Sequence, residues 1–149
     1  MFSLNWSIEW QGINVADRAS DVGGDITIKS VGKIILAVEV TERPIDRARV
    51  LSTFPTKLLR HGISDYLFFF ASAVPAPEAR TLARQYLGQG HDISFLPVKD
   101  WLVSTLGTVG PRCRAEFTVH FLALLGSADV PATLKLAWNE HIRRLLEPE

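Results

Sequence analysis

Residues 25–43 read DITIKSVGKIILAVEVTER, and this stretch decides the fold. Two runs rich in Val and Ile, 25–29 and 33–40, flank Ser30-Val31-Gly32. β-Branched residues suit a pleated surface, and glycine supplies the backbone freedom that a tight connection needs. A β-hairpin is predicted. Asp25 opens its first strand and Glu39 lies near the end of its second. Antiparallel pairing about 30–32 then brings the two acids together at the open end. Carboxylates so placed repel each other unless a positive charge lies between them. A hard divalent cation with oxygen ligands meets that need. The same repulsion predicts that neutralising one acid stabilises the cation-free protein. Strand alternation puts Glu39, Thr41 and Arg43 on one face, and Val38, Val40 and Glu42 on the other. The valine side is expected to pack on a core, with carboxylate, hydroxyl and guanidinium on the other side. The competing reading is a half-exposed strand with ordinary surface charges.

Composition bounds what surrounds this hairpin. A chain of 149 residues, 47% hydrophobic and 21% charged, is read as one globular domain with a sizeable core. Its longest apolar runs, 67–71 among them, are far too short to span a bilayer. The start, MFSLNWSIEWQG, lacks a basic region followed by an apolar one, so no signal peptide is evident. A single cysteine, Cys113, excludes an internal disulfide framework and a cysteine-based zinc cluster, and fits a reducing, cytoplasmic setting. Sixteen basic residues balance sixteen acidic ones, so any nucleic-acid surface must be a local patch.

Outward from the hairpin, Trp6, Ile8 and Trp10 alternate with Ser7 and Glu9, suggesting a short strand or an irregular lead-in. A polar loop ending in Gly23-Gly24 leads into Asp25. Downstream, 45–61 has helical periodicity, interrupted by Pro55, which should kink or split it. Arg47, Arg49, Lys57, Arg60 and His61 lie on or near its polar side. They are either a solvated face or contacts to phosphates. Residues 65–72, DYLFFFAS, read as a buried strand, 77–87 as an amphipathic helix, and 92–98 as another strand. Three helices follow, at 100–106, 112–125 and 132–146. The order gives an α/β fold with a mixed central sheet flanked by helices and a helical C-terminal third.

A hairpin with paired acids, then helix, strand, helix and strand, resembles the common core of the PD-(D/E)XK nuclease superfamily. More closely, GGDI, LAVEVTERPID and GISDYLFFF resemble the catalytic part of type II restriction endonucleases of the SacI-like family, over roughly residues 14–147. The resemblance implies a restriction-endonuclease-like core in a single domain, the C-terminal part of a longer protein if a recognition domain lies upstream. It implies Mg²⁺-dependent hydrolysis of double-stranded DNA. Asp25 and Glu39 match the motif's acids and, with the Val40 carbonyl, would hold the metal. Thr41 stands where the superfamily usually has lysine; it can orient a water but supplies no charge. Arg43, on the same face, would supply the charge, and Arg43, Lys57 and Arg60 would contact DNA. A homodimer is compatible with the resemblance. The alternatives are a non-catalytic nuclease-like module for DNA binding or subunit association, and a repair nuclease of the same superfamily.

Overall fold

A computed structural model of the chain describes residues 5–10 and 23–147. Five strands form one sheet in chain order: β1 (Trp6–Trp10), β2 (Ile26–Ser30), β3 (Lys33–Thr41), β4 (Asp65–Phe70) and β5 (Asp92–Pro97). The first three are antiparallel and the last three parallel, so the sheet is mixed. Parallel neighbours require crossovers. The first is α1 (Arg47–Thr53) running into a π-helical segment, Phe54–Leu59; the second is α2 (Pro77–Leu87). The expected break at Pro55 is thus a change from α to π winding inside a continuous helical run, at a residue that has no N–H to donate to the preceding turn. After β5 come α3 (Val98–Thr108), α4 (Pro111–Gly126) and α5 (Ala132–Leu146).

The hairpin closes as expected, with Ser30 paired to Lys33 around a two-residue turn. Both turn residues have positive φ, 49° at Val31 and 77° at Gly32. Such a turn matches the twist of the flanking strands. Ile26 pairs with Val38, so Asp25 enters the strand level with Glu39.

The core corrects the expected facing of β3. Ala37 and Thr41 are buried, whereas Val40 is 53% exposed. The reason is β4. Its parallel register sets Tyr66, Phe68 and Phe70 beside Ala37, Glu39 and Thr41. Those aromatic residues pack with Val50, Leu58 and the Ala79, Leu82, Ala83 and Tyr86 face of α2. The Glu39 and Thr41 side of β3 is therefore the main core side, and Glu39 lies where that core reaches the surface. Val38 is buried on the opposite face, where Phe69 meets Trp101 at 5.1 Å between ring centroids.

The described residues fall into two compact units, 5–10 with 23–104 and 105–147. Within the second, Phe121 meets Trp138 edge-on at 5.1 Å, and Glu140 pairs with Arg143 and Arg144 one turn along α5. Among the described residues, no helix is long and apolar enough to cross a membrane.

One glycine is demanded by the site's backbone. A Cβ at Gly24 would lie 2.6 Å from the Val38 carbonyl oxygen, and backbone cannot yield as a side-chain tip can. Gly24→Ala is expected to destabilise the protein by about 1–3 kcal/mol through overpacking. Urea unfolding checks this, and an unchanged midpoint would show that the approach to Asp25 is less tight.

Candidate functional site

Asp25, Glu39, Val40, Thr41, Arg43 and Lys57 line one cleft of about 480 Å³, together with Gly24, Glu42, Arg49 and Tyr66. Arg60, also expected at this surface, is exposed and is not among the lining residues. Two strands and the first crossover thus converge on one opening.

Each acid is held by a specific donor. Asp25 lies just before β2, and its Oδ2 accepts a hydrogen bond from the Val40 main-chain N–H at 2.7 Å. The N–H and C=O of a strand residue leave by the same edge. The Val40 carbonyl is therefore on Asp25's side of β3, while the Val40 side chain is exposed. Glu39 is bound at both oxygens. Arg49 Nη2 donates to Oε1, and the Tyr66 hydroxyl donates to Oε2 at 2.6 Å. Both the Arg49 and Glu39 side chains are about four-fifths buried. A guanidinium thus supplies positive charge at Glu39. Three His, Cys, Asp or Glu side chains do not converge anywhere among the described residues.

Arg49 is placed by its helix. Asp46 caps α1, its carboxylate accepting from the Arg49 main-chain N–H at 2.8 Å. The third helical residue then points back at β3, and its guanidinium lies over the Phe68 ring, 5.8 Å from the centroid. Thr41 is buried, and its Oγ1 accepts from the Arg43 N–H at 3.1 Å. Its own O–H can still donate.

Tyr66 was not singled out in the sequence, where it is one hydroxyl in the apolar run 65–70. Its phenol is held well above the ordinary value of 10.0, first by burial, then by the charge and hydrogen bond of Glu39 and the charge of Asp25; Arg49 pulls the other way. The phenol therefore stays a donor to Glu39. The sign of the pH effect follows. The folded state keeps a proton that the unfolded chain loses above about pH 10. This contribution is whole below that pH and is lost as pH rises further. Unfolding free energy should fall more steeply in the parent than in Tyr66→Phe, by up to about 1.4 kcal/mol per pH unit. Urea unfolding from about pH 9 to 12 checks it, and parallel curves would contradict it.

The donor set facing the cleft from β3 and the residue before β2 is all oxygen: two carboxylates and a main-chain carbonyl edge. That chemistry fits a hard divalent cation such as Mg²⁺ better than zinc. Such a cation would have to share Glu39 with Arg49 or replace it. In comparison with known proteins, no family model matches the chain and no curated protein matches it in sequence.

Proposed function

We propose that the chain is a Mg²⁺-dependent endonuclease that hydrolyses phosphodiester bonds of double-stranded DNA, the catalytic part of a type II restriction enzyme. The observation that carries this reading is the convergence of Asp25 and Glu39, from neighbouring strands, on a cleft that also holds Arg43, Arg49 and Lys57. Paired acids beside three basic side chains suit a substrate that is a polyanion needing a divalent cation.

Asp25, Glu39 and the Val40 carbonyl are the residues that would hold Mg²⁺. Once bound, the ion supplies Lewis-acid stabilisation of phosphate charge and a more acidic water. The remaining work falls to the chain itself. Tyr66 fixes the orientation of Glu39, and the Val40 N–H fixes that of Asp25. Thr41 offers its O–H to orient a water at the cleft floor. Arg43 and Lys57 bind phosphate oxygens and offset the charge that grows in the transition state. A homodimer would provide one such cleft per DNA strand.

A second reading has its own support. Glu39 is already neutralised by Arg49 and hydrogen-bonded by Tyr66, and Thr41 carries no charge where the superfamily has lysine. A nuclease-like fold kept for DNA binding or subunit association would look like this. Supercoiled plasmid incubated with the full-length protein separates the two. The nuclease reading expects nicked and linear products with Mg²⁺ and none with a chelator. Inertness with both Mg²⁺ and Mn²⁺ would favour the second reading.

A further inference from the structure

Arg49 is held in the cleft by more than its acid. Its Nη1 donates to the main-chain oxygens of Arg43 at 3.3 Å and Pro44 at 3.4 Å, and the Phe68 ring lies beneath the guanidinium. Only Nη2 reaches Glu39. The helix gives no reason for a cation here. Arg49 falls in the first turn of α1, at the positive end of the helix dipole, where acids are favoured, and that turn holds no acid. The residue is explained by what it faces.

We propose that Arg49 is a tethered counter-cation of the acid pair. It neutralises Glu39 until a divalent cation binds, then gives up that carboxylate and turns its freed Nη2 to a phosphate oxygen. This rests on the metal-site reading above and assigns a further role within it. A dication on Glu39 and a guanidinium bonded to the same carboxylate repel each other at close range. A dication there would outweigh the guanidinium at Glu39, since it carries twice the charge and Asp25 as well as Glu39 would hold it. Arg49 need not leave, since the carbonyls of Arg43 and Pro44 and the Phe68 ring do not depend on Glu39. A rotation of the guanidinium suffices. It leaves a fixed donor beside Arg43 and Lys57, in the cleft that a phosphate would enter. Two consequences follow. The acid pair binds metal more weakly than it would without Arg49, and metal and phosphate reinforce each other's binding, because each takes one of two partners that were bound together.

The test uses the full chain and reads metal binding rather than cleavage. Mn²⁺ affinity is measured by calorimetry for the parent, Arg49→Met and Glu39→Gln. In parallel, the Arg49 guanidinium nitrogens of the unmutated protein are followed by NMR as Mg²⁺ is added. The proposal expects Arg49→Met to bind Mn²⁺ about tenfold more tightly, the weight of one charged hydrogen bond. It expects Glu39→Gln to bind far more weakly. It also expects the Arg49 signals to lose the restricted rotation of a carboxylate pair as Mg²⁺ saturates. Equal or weaker binding by folded Arg49→Met, or Arg49 signals unmoved at saturation, overturns the proposal and leaves the metal site standing. No Mn²⁺ binding by the parent or by Arg49→Met removes the metal site and the proposal with it. If Arg49→Met does not fold, the NMR titration of the unmutated protein decides alone.

Discussion

Glu39→Gln is expected to lower Mg²⁺-dependent DNA cleavage by about 10²–10³-fold or more, to the level of background in a plasmid assay. The substitution keeps the size of the side chain and its acceptor oxygen while removing the charge that metal binding needs. It also reaches stability, and there the structure reverses an expectation drawn from the acid pair alone. Repulsion between Asp25 and Glu39 predicts that neutralising one of them stabilises the protein. In the fold, however, Glu39 takes charged hydrogen bonds from Arg49 and Tyr66. Loss of its charge weakens both and leaves Arg49 without its acid. Glu39→Gln should therefore be less stable by about 1–2 kcal/mol, visible as a lower urea midpoint. An unimpaired midpoint together with abolished cleavage would mean that the Arg49 pair adds little to folding.

The largest effect on folding is expected at Phe68. Its side chain is fully buried, 5.7 Å from Phe95 in a stacked pair and 5.2 Å from Tyr66 in an edge contact. Truncation to alanine should cost about 3–5 kcal/mol from lost burial and the cavity left behind. For a domain stable by about 5–15 kcal/mol, that is a large share. Phe68 also lies under the Arg49 guanidinium and beside Tyr66, so it supports both donors to Glu39. Phe68→Leu, which keeps most of the volume, separates the two roles. It should remain folded yet lose activity if placement of Arg49 and Tyr66 matters. Thermal unfolding and plasmid cleavage on the same preparations measure both.

Where proline and glycine punctuate the chain, the fold was legible. Pro77 and Gly88 bound α2 at the residues expected, and α5 spans Ala132–Leu146 as its periodicity indicates. The hairpin follows from Val and Ile about Gly32. The facing of β3 was not legible, because its alternation offers valines on one side and Ala37 with Thr41 on the other. The aromatic residues of β4 decide between them through a parallel register that local pattern does not encode. For the site, the convergence of Asp25, Glu39, Val40, Thr41, Arg43 and Lys57 was readable from hairpin geometry and resemblance. The partners of Glu39 were not. Arg49 lies ten residues away and Tyr66 twenty-seven, each brought in by the crossover and the neighbouring strand. Signals for both were nevertheless present. An arginine in the first turn of a capped helix opposes the dipole, and a lone hydroxyl in the run YLFFF needs a partner when buried. Arg47 and Arg60 give the reverse lesson, since basic residues on the same helical stretch as Arg49 and Lys57 do not line the cleft.

Asp25 and Glu39 are proposed together to hold a divalent cation at this cleft. Paramagnetic broadening by Mn²⁺ in the amide NMR spectrum of the ¹⁵N-labelled protein tests it without requiring DNA. The amides of Gly24, Asp25, Val40 and Thr41 should broaden first at low Mn²⁺, excess Mg²⁺ should restore them, and Asp25→Asn or Glu39→Gln should abolish the effect. Broadening centred elsewhere, or the same broadening in both variants, would contradict it.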